Sequence, residues 1–299
     1  MKPIAESELI INQRGAIYHL NLLPEEIADT VITVGDPDRV KEVSKHFDSI
    51  EFKINHREFV THTGYKNGKR ISVISTGIGP DNIDIVLTEL DALVNIDFKT
   101  RTVKKKKTKL NLIRVGTSGS LQKNIPVDSI VASSHSIGLD NLMQFYKPKL
   151  NSHEKKMQEK FRKKILNGDN KFFLSTTSAH KSLLKIFANH ELRTANHQLF
   201  SGITITCPGF YGPQGRVIRN QLAFPKLIDK LSSFTFHDYH ITNFEMETSA
   251  IYSMSRLMGH RALSLSAIVA NRISKQFSSD AGATMEKLIE LVLSKLTNR

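Results

Sequence analysis

The chain has 299 residues, with 42 Lys and Arg against 29 Asp and Glu for a formal net charge of +13, and a single cysteine, Cys207. That length allows one large α/β domain or two ordinary ones. One cysteine excludes an intrachain disulfide and a thiolate metal cluster and reads as a small buried hydrophobe. The lack of an apolar run of about 18 residues, or of a secretory signal in MKPIAESELI (1–10), leads us to expect a soluble, cytoplasmic protein with no membrane partner.

Short Val/Ile-rich segments ending in glycine alternate with helix-patterned ones along the chain. The first, TVITVG (30–35), runs into GDPDRV (35–40), where freed backbone amides and Arg39 on the first helical turn outline an anion site, or equally a capped helix start. RISVISTG (70–77) reads as the next strand. In NIDIVLTELDALV (82–94), Ile83, Val86, Leu87, Leu90 and Leu93 share one stripe, with Asp84, Glu89 and Asp91 largely off it, as in an amphipathic helix. Between about 98 and 109 a surface loop is expected to carry the lysine run. LNLIRVG (110–116) reads as a third strand. It leads into IRVGTSGSLQ (113–122), where Arg114 and Thr117 can donate to phosphate oxygens and Gly116 and Gly119 allow close approach; the spacing is not that of a Walker loop.

HEKKMQEKFRKKI (153–165) reads as a solvated helix face. Neither it nor the lysine run is interleaved with aromatic side chains that could stack on bases, so a nucleic-acid partner is not expected. TCPGFYGPQGR (206–216) is a bent loop that either presents Phe210, Gln214 and Arg216 to a flat polar ligand or is an ordinary surface turn. In NFEMETSAIYSMSRLMG (243–259), Glu245 and Glu247 either cap a helix or grip the vicinal hydroxyls of a ribose. ALSLSAIVA (262–270) is the last strand and ATMEKLIELVLSKL (283–296) a final amphipathic helix. Strands alternating with helices, without a linker, predict an α/β layered fold in a single domain, 1–299, with basic surface segments near 99–109 and 153–173.

Seven of these segments, GDPDRV, NHREF (55–59), STGIG (75–79), RVGTSG (114–119), FYGPQGR (210–216), FEMETSAIY (244–252) and IVANR (268–272), occur in the order and approximate spacing of the nucleoside phosphorylase family. The likeness runs from about residue 17 to 295 and is nearest the bacterial uridine phosphorylases. The resemblance implies a three-layer α/β/α fold with a central mixed sheet, and a reversible reaction in which uridine and phosphate give uracil and ribose 1-phosphate with inversion. The alternatives within and beyond the family are a purine nucleoside phosphorylase, a nucleosidase, and a catalytically silent nucleoside- or nucleic-acid-binding homologue.

By the same resemblance, Gly35, Arg39, Arg114 and Thr117 hold phosphate, with Arg57 reaching in from a neighbouring subunit. Glu247 and Met246 hold the ribose, a neighbour's His19 meets the 5′ hydroxyl, Phe210 faces the base, and Gln214 and Arg216 read its edge. Those last two, with Glu247, are the expected catalytic residues. No cofactor is implied; phosphate is a co-substrate, and the assembly is a hexamer, a trimer of dimers. Asn271 and Arg272 stand where purine-specific relatives carry an acid. Two departures bear on specificity and ions: Gly215 replaces an acidic residue, which predicts a more flexible loop, and Asn82 replaces a serine near Glu58, the residue left to hold an intersubunit K+.

Overall fold

The computed structural model describes residues 2–187 and 199–297. In chain order the elements are β1 (Thr30–Val34), α1 (Pro37–Ser44), β2 (Ser49–His56), β3 (Phe59–Lys66), β4 (Lys69–Ser75), α2 (Pro80–Asn95), β5 (Ile96–Asp97), β6 (Thr102–Val103), β7 (Asn111–Ser120) and β8 (Ile130–Gly138). They continue with α3 (Ser152–Ile165), β9 (Ser175–Ser178), α4 (Lys181–Phe187), β10 (Leu199–Thr206), α5 (Leu227–Ser232), β11 (Thr235–Phe236), β12 (Tyr239–Glu245), α6 (Thr248–Met258), β13 (Arg261–Asn271), β14 (Gln276–Phe277) and α7 (Ala281–Thr297). The four segments read as strands are β1, β4, β7 and β13, and the two amphipathic patterns are α2 and α7.

The main sheet runs β11-β12-β10-β8-β13-β7-β1-β4-β3-β2 and mixes parallel with antiparallel pairs. In β13, residues of both parities are buried from Ala262 to Ile268. A strand buried on both faces needs helices above and below the sheet, so the fold is the expected three-layer α/β/α arrangement. One further pairing positions the site. β12 also pairs antiparallel with β7, Asn243 opposite Ser120 and Phe244 opposite Gly119. This folds the end of β12 back beside the TSGS segment, although about 125 residues of chain lie between them.

Three expectations change. The 98–109 segment is not a plain surface loop: β5 and β6 form a small antiparallel ribbon, with Ile96 opposite Val103, and the Lys104 ammonium donates to the Val94 carbonyl. The α3 helix is solvated on one face only, because Met157, Phe161 and Ile165 enter a core with Phe234 and Phe244. Glu89 of α2, which periodicity sets off the stripe, is buried. The strands β8, β10 and β12 are hard to read from pattern because buried polar residues interrupt them. Ser133 Oγ pairs with Thr204 Oγ1 at 2.6 Å and Ser134 Oγ donates to the Gly202 carbonyl, so hydroxyls replace the apolar alternation that marks a strand.

Candidate active site

A cavity of about 670 Å³ opens where β1, β7, β12 and β13 end, and its walls include Gly35, Arg39, Glu58, Arg114, Thr117, Phe210, Gln214, Arg216, Met246 and Glu247. Ten sequence-predicted residues thus meet in one place. Arg57 and His19 do not line it.

At one end two arginines converge. Asp36 caps α1 by accepting from the Asp38 amide at 2.9 Å, and the helix turns Arg39 inward. The Nε of Arg39 is buried without a hydrogen-bond partner. Burial lowers the pKa of Arg39, Asp36 and Glu42 oppose that shift, and Arg114 adds to it by repulsion. That nitrogen has only the Glu42 carboxylate near it, 3.7 Å away, and a buried guanidinium N–H held near a second guanidinium is suited to an anion. Gly116 makes the second arginine's position feasible: a Cβ there would lie 2.3 Å from Arg114 Nη1.

In the middle, Arg114 Nη2 lies 2.5 Å from Glu247 Oε2 and 3.1 Å from Glu245 Oε2. The structure separates the two acids. Glu245 is the helix cap: it accepts from the Glu247 and Thr248 amides at 3.0 Å and from Thr206 Oγ1 at 2.8 Å. Glu247 makes no capping bond; it accepts from the Gly79 amide at 2.9 Å and faces the cavity. Burial works against the Arg114 charge, but Glu245 and Glu247 outweigh it and raise the guanidinium pKa. For Glu245, burial raises the carboxyl pKa, with repulsion from Glu247 adding and Arg114 opposing.

At the far end, the 210s loop is held by its own side chains. Arg216 Nη1 donates to the Phe210 carbonyl and to Gln214 Oε1, both at 2.7 Å, and its guanidinium stacks 3.7 Å from the centroid of the Phe210 ring. That ring therefore supports Arg216 as well as lining the cavity. Burial, then the nearby Arg272, lowers the Arg216 pKa to about 10. Gln214 is buried.

Gly215 has φ +66, and a Cβ there would lie 2.9 Å from Ile228. The glycine is thus required by a left-handed turn that shapes the loop, which replaces the expectation of added looseness.

Sequence reasoning named Arg272 only as a branch marker. The structure gives it work at the site, since its Nη1 donates to the Gln214 carbonyl at 3.0 Å. Asn271 is a turn anchor, accepting from the Ile273 and Ser274 amides. Phe244 and Phe277 were not foreseen in the wall; FEM, with an aromatic beside the acids, was the available signal for the first. Cys207 is fully buried and burial raises its thiol pKa, so it is the small hydrophobe expected. Glu58 and Asn82 share the wall, and among the described residues no group of three or more His, Cys, Asp or Glu side chains could hold a metal ion.

His19 and Arg57 come together elsewhere. The Arg57 guanidinium lies 5.6 Å from the Tyr18 ring centroid, Tyr18 meets His19 edge-on at 4.8 Å, and His56 Nδ1 donates to the His19 carbonyl at 2.8 Å. Arg57 occupies the tight β2–β3 turn at φ +56, between His56, the last residue of β2, and the cavity-lining Glu58.

A mixed α/β/α sheet whose strand ends carry two convergent arginines, a cavity-facing carboxylate and an amide–guanidinium loop has the layout of a small-molecule enzyme site. The model of the Phosphorylase superfamily matches residues 29–295, and the chain belongs to that family. It is 29% identical to a uridine phosphorylase of Thermococcus kodakarensis over 95% of this chain and 86% of that protein. It is 26% identical to one of Haemophilus influenzae over 94% and 97%. Among solved structures, a Trypanosoma brucei nucleoside phosphorylase described as showing uridine phosphorylase activity superposes with a TM-score of 0.87 at 30% identity, covering 98% of this chain and all of that one.

Proposed function

We propose that the protein catalyses the phosphate-dependent, reversible cleavage of uridine to uracil and ribose 1-phosphate, as a pentosyltransferase of pyrimidine salvage. The observation that carries the reading is the ordered set of three subsites along one cavity: Arg39 beside Arg114, then Glu247, then Gln214 with Arg216. The full-length similarity to uridine phosphorylases supports it.

In the reaction, Gly35, Arg39, Arg114 and Thr117 hold phosphate with one oxygen aimed at the anomeric carbon. Glu247 accepts from the 2′ and 3′ hydroxyls, and Met246 packs against the sugar. As the glycosidic C–N bond stretches, its electron pair moves into the pyrimidine and the ribose becomes cationic. Phosphate then bonds to the anomeric carbon from the opposite face. The Arg216 guanidinium and the Gln214 amide donate to the base where negative charge gathers, an interaction stronger in the transition state than before it. The leaving uracil anion takes up the proton that the phosphate gives up as it becomes the ester, so charge and atoms balance, and no covalent enzyme intermediate or cofactor is needed.

A neighbouring copy's His19 and Arg57 complete the site, at the 5′ hydroxyl and the phosphate, in a hexamer built as a trimer of dimers. Their grouping on one surface patch outside the chain's own cavity favours that arrangement. Glu58 is the residue that would contribute to a K+ site between copies, and no chemical step depends on it. We place the enzyme in the cytoplasm, without a membrane or nucleic-acid partner.

Incubation with uridine, with and without phosphate, tests the reading. Uracil release is expected only with phosphate; release without it indicates a nucleosidase, and turnover of inosine alone a purine enzyme. In Arg216→Ala, uridine kcat is expected to fall by roughly 10²-fold or more, the scale of losing an oxyanion donor, and unchanged turnover would overturn the assignment of this residue.

A further inference from the structure

Glu89 lies 70 residues from His19 in sequence, yet its carboxylate gathers His19 and Leu20. Both its oxygens accept from the His19 amide at 3.0 Å, Oε2 accepts from the Leu20 amide at 2.8 Å, and Oε1 stands 2.6 Å from His19 Nδ1. The two backbone bonds fix where the segment lies. The ring contact does something else. An ionised carboxylate can only accept, so the hydrogen on Nδ1 is directed at Glu89 in either charge state of the ring, and Nε2 is the atom left to face outward. Among the described residues Nε2 has no partner, and the side chain is 28% accessible. Tyr18 edge-on to the ring and His56 on the His19 carbonyl add two further restraints.

We propose that Glu89 is a positioning residue that sets the tautomer and direction of the His19 ring, so that Nε2 is presented to the 5′ hydroxyl of a nucleoside bound by a neighbouring copy. The inference rests on the role given to His19 above and deepens it: recognition of the 5′ end is built in helix α2, which touches no substrate atom there. Pre-orienting the ring during folding means its rotamer freedom is not lost on binding. Glu89→Gln keeps the shape, but its amide can present N–H where a carboxylate cannot, so the ring is no longer forced to point Nε2 outward.

The test compares uridine with 5′-deoxyuridine, each with phosphate, in the full chain and in His19→Ala, Glu89→Gln and the double variant. The unaltered protein is expected to favour uridine, and His19→Ala to lose about tenfold in kcat/KM on uridine but little on 5′-deoxyuridine, the scale of one hydrogen bond. Glu89→Gln is expected to show the same selective loss, and the double variant no more than His19→Ala alone. If His19→Ala leaves the uridine preference intact, the role of His19 fails, and this inference with it. If His19→Ala abolishes the preference while Glu89→Gln keeps it, or Glu89→Gln weakens both substrates equally, the positioning role alone is overturned. Imidazole ¹⁵N spectra of the unaltered protein give a check independent of how any variant folds: a His19 ring protonated at Nδ1 is expected, and a neutral ring protonated only at Nε2 would refute the proposal.

Discussion

Helix α6 carries an arginine–carboxylate cluster at each end, and the two are built differently. Beyond its N-terminus, Arg114 serves two acids, Glu245 and Glu247, and the group opens onto the cavity. Near its C-terminus, Arg256 serves one, Glu154, whose carboxylate is closed off from solvent and saturated. It accepts from Arg256 Nη1 at 2.7 Å, from Ser178 N and Oγ at 2.8 and 2.7 Å, and from the Asn151 amide at 3.0 Å. Burial alone would raise the Glu154 pKa; Arg256, Ser178 and the amides overcome it and bring it down to about 2. At the other end, burial raises the Glu245 pKa despite Arg114. The balanced cluster is a structural clasp. The unbalanced one sets two acids against Arg114, with Arg39 and its exposed partner Glu42 alongside, and faces the cavity, where a ligand can reach it.

The sharpest way to break the comparison is Glu247→Gln. Losing charged acceptance from two hydroxyls predicts a fall in uridine kcat/KM of about 10²- to 10³-fold, with a smaller fall for 2′-deoxyuridine. Because Glu245 still pairs Arg114, the melting temperature should hold. A matching loss of stability would show that Glu247 is clasp as much as site.

The converse change, Glu154→Gln, is expected to cost about 2 kcal/mol of stability in denaturant titrations while the folded enzyme keeps its kcat. The acid response gives the sign. A carboxyl held below its ordinary value of 4.5 stabilises the fold above that pH, and the contribution is lost as pH falls from there towards about 2. Glu154→Gln should flatten that part of the stability–pH curve, and an unchanged curve would remove Glu154 from the account.

The smallest expected effect is that of Arg114→Lys, which keeps the charge and loses the planar fork. Phosphate KM should rise about tenfold, the scale of one charge-assisted hydrogen bond. If KM for uridine rose instead, Arg114 would belong to the ribose end.

The legible parts of the site were those in which local chemistry and position coincide. Arg39 after a strand–Gly–Asp–Pro turn and Arg216 in a Pro/Gly-fixed loop can point in few directions, so their residue types nearly specify their use. The pair of acids was different. Glu245 and Glu247 are two residues apart at a helix entrance, and local spacing allows either to cap. The β12–β7 pairing, with Phe244 opposite Gly119, decides it by turning Glu247 into the cavity. Glu89 was misleading for a related reason. Helical periodicity reports the face of its own helix, and the donors that make burial of this carboxylate favourable come from His19 and Leu20.

By itself, then, the sequence determined the α/β alternation, the glycine turns that end strands, and the inventory of arginines, amide and carboxylates, because strand and helix periodicity and turn stereochemistry act over a few residues. Only the tertiary structure decided which acid caps and which faces the cavity, that Arg272 braces the 210s loop, and that His19 and Arg57 share a surface outside the cavity. Those outcomes depend on pairings between segments tens to more than a hundred residues apart, and the hydrogen bonds and buried charges that settle them do not exist until the sheet has closed.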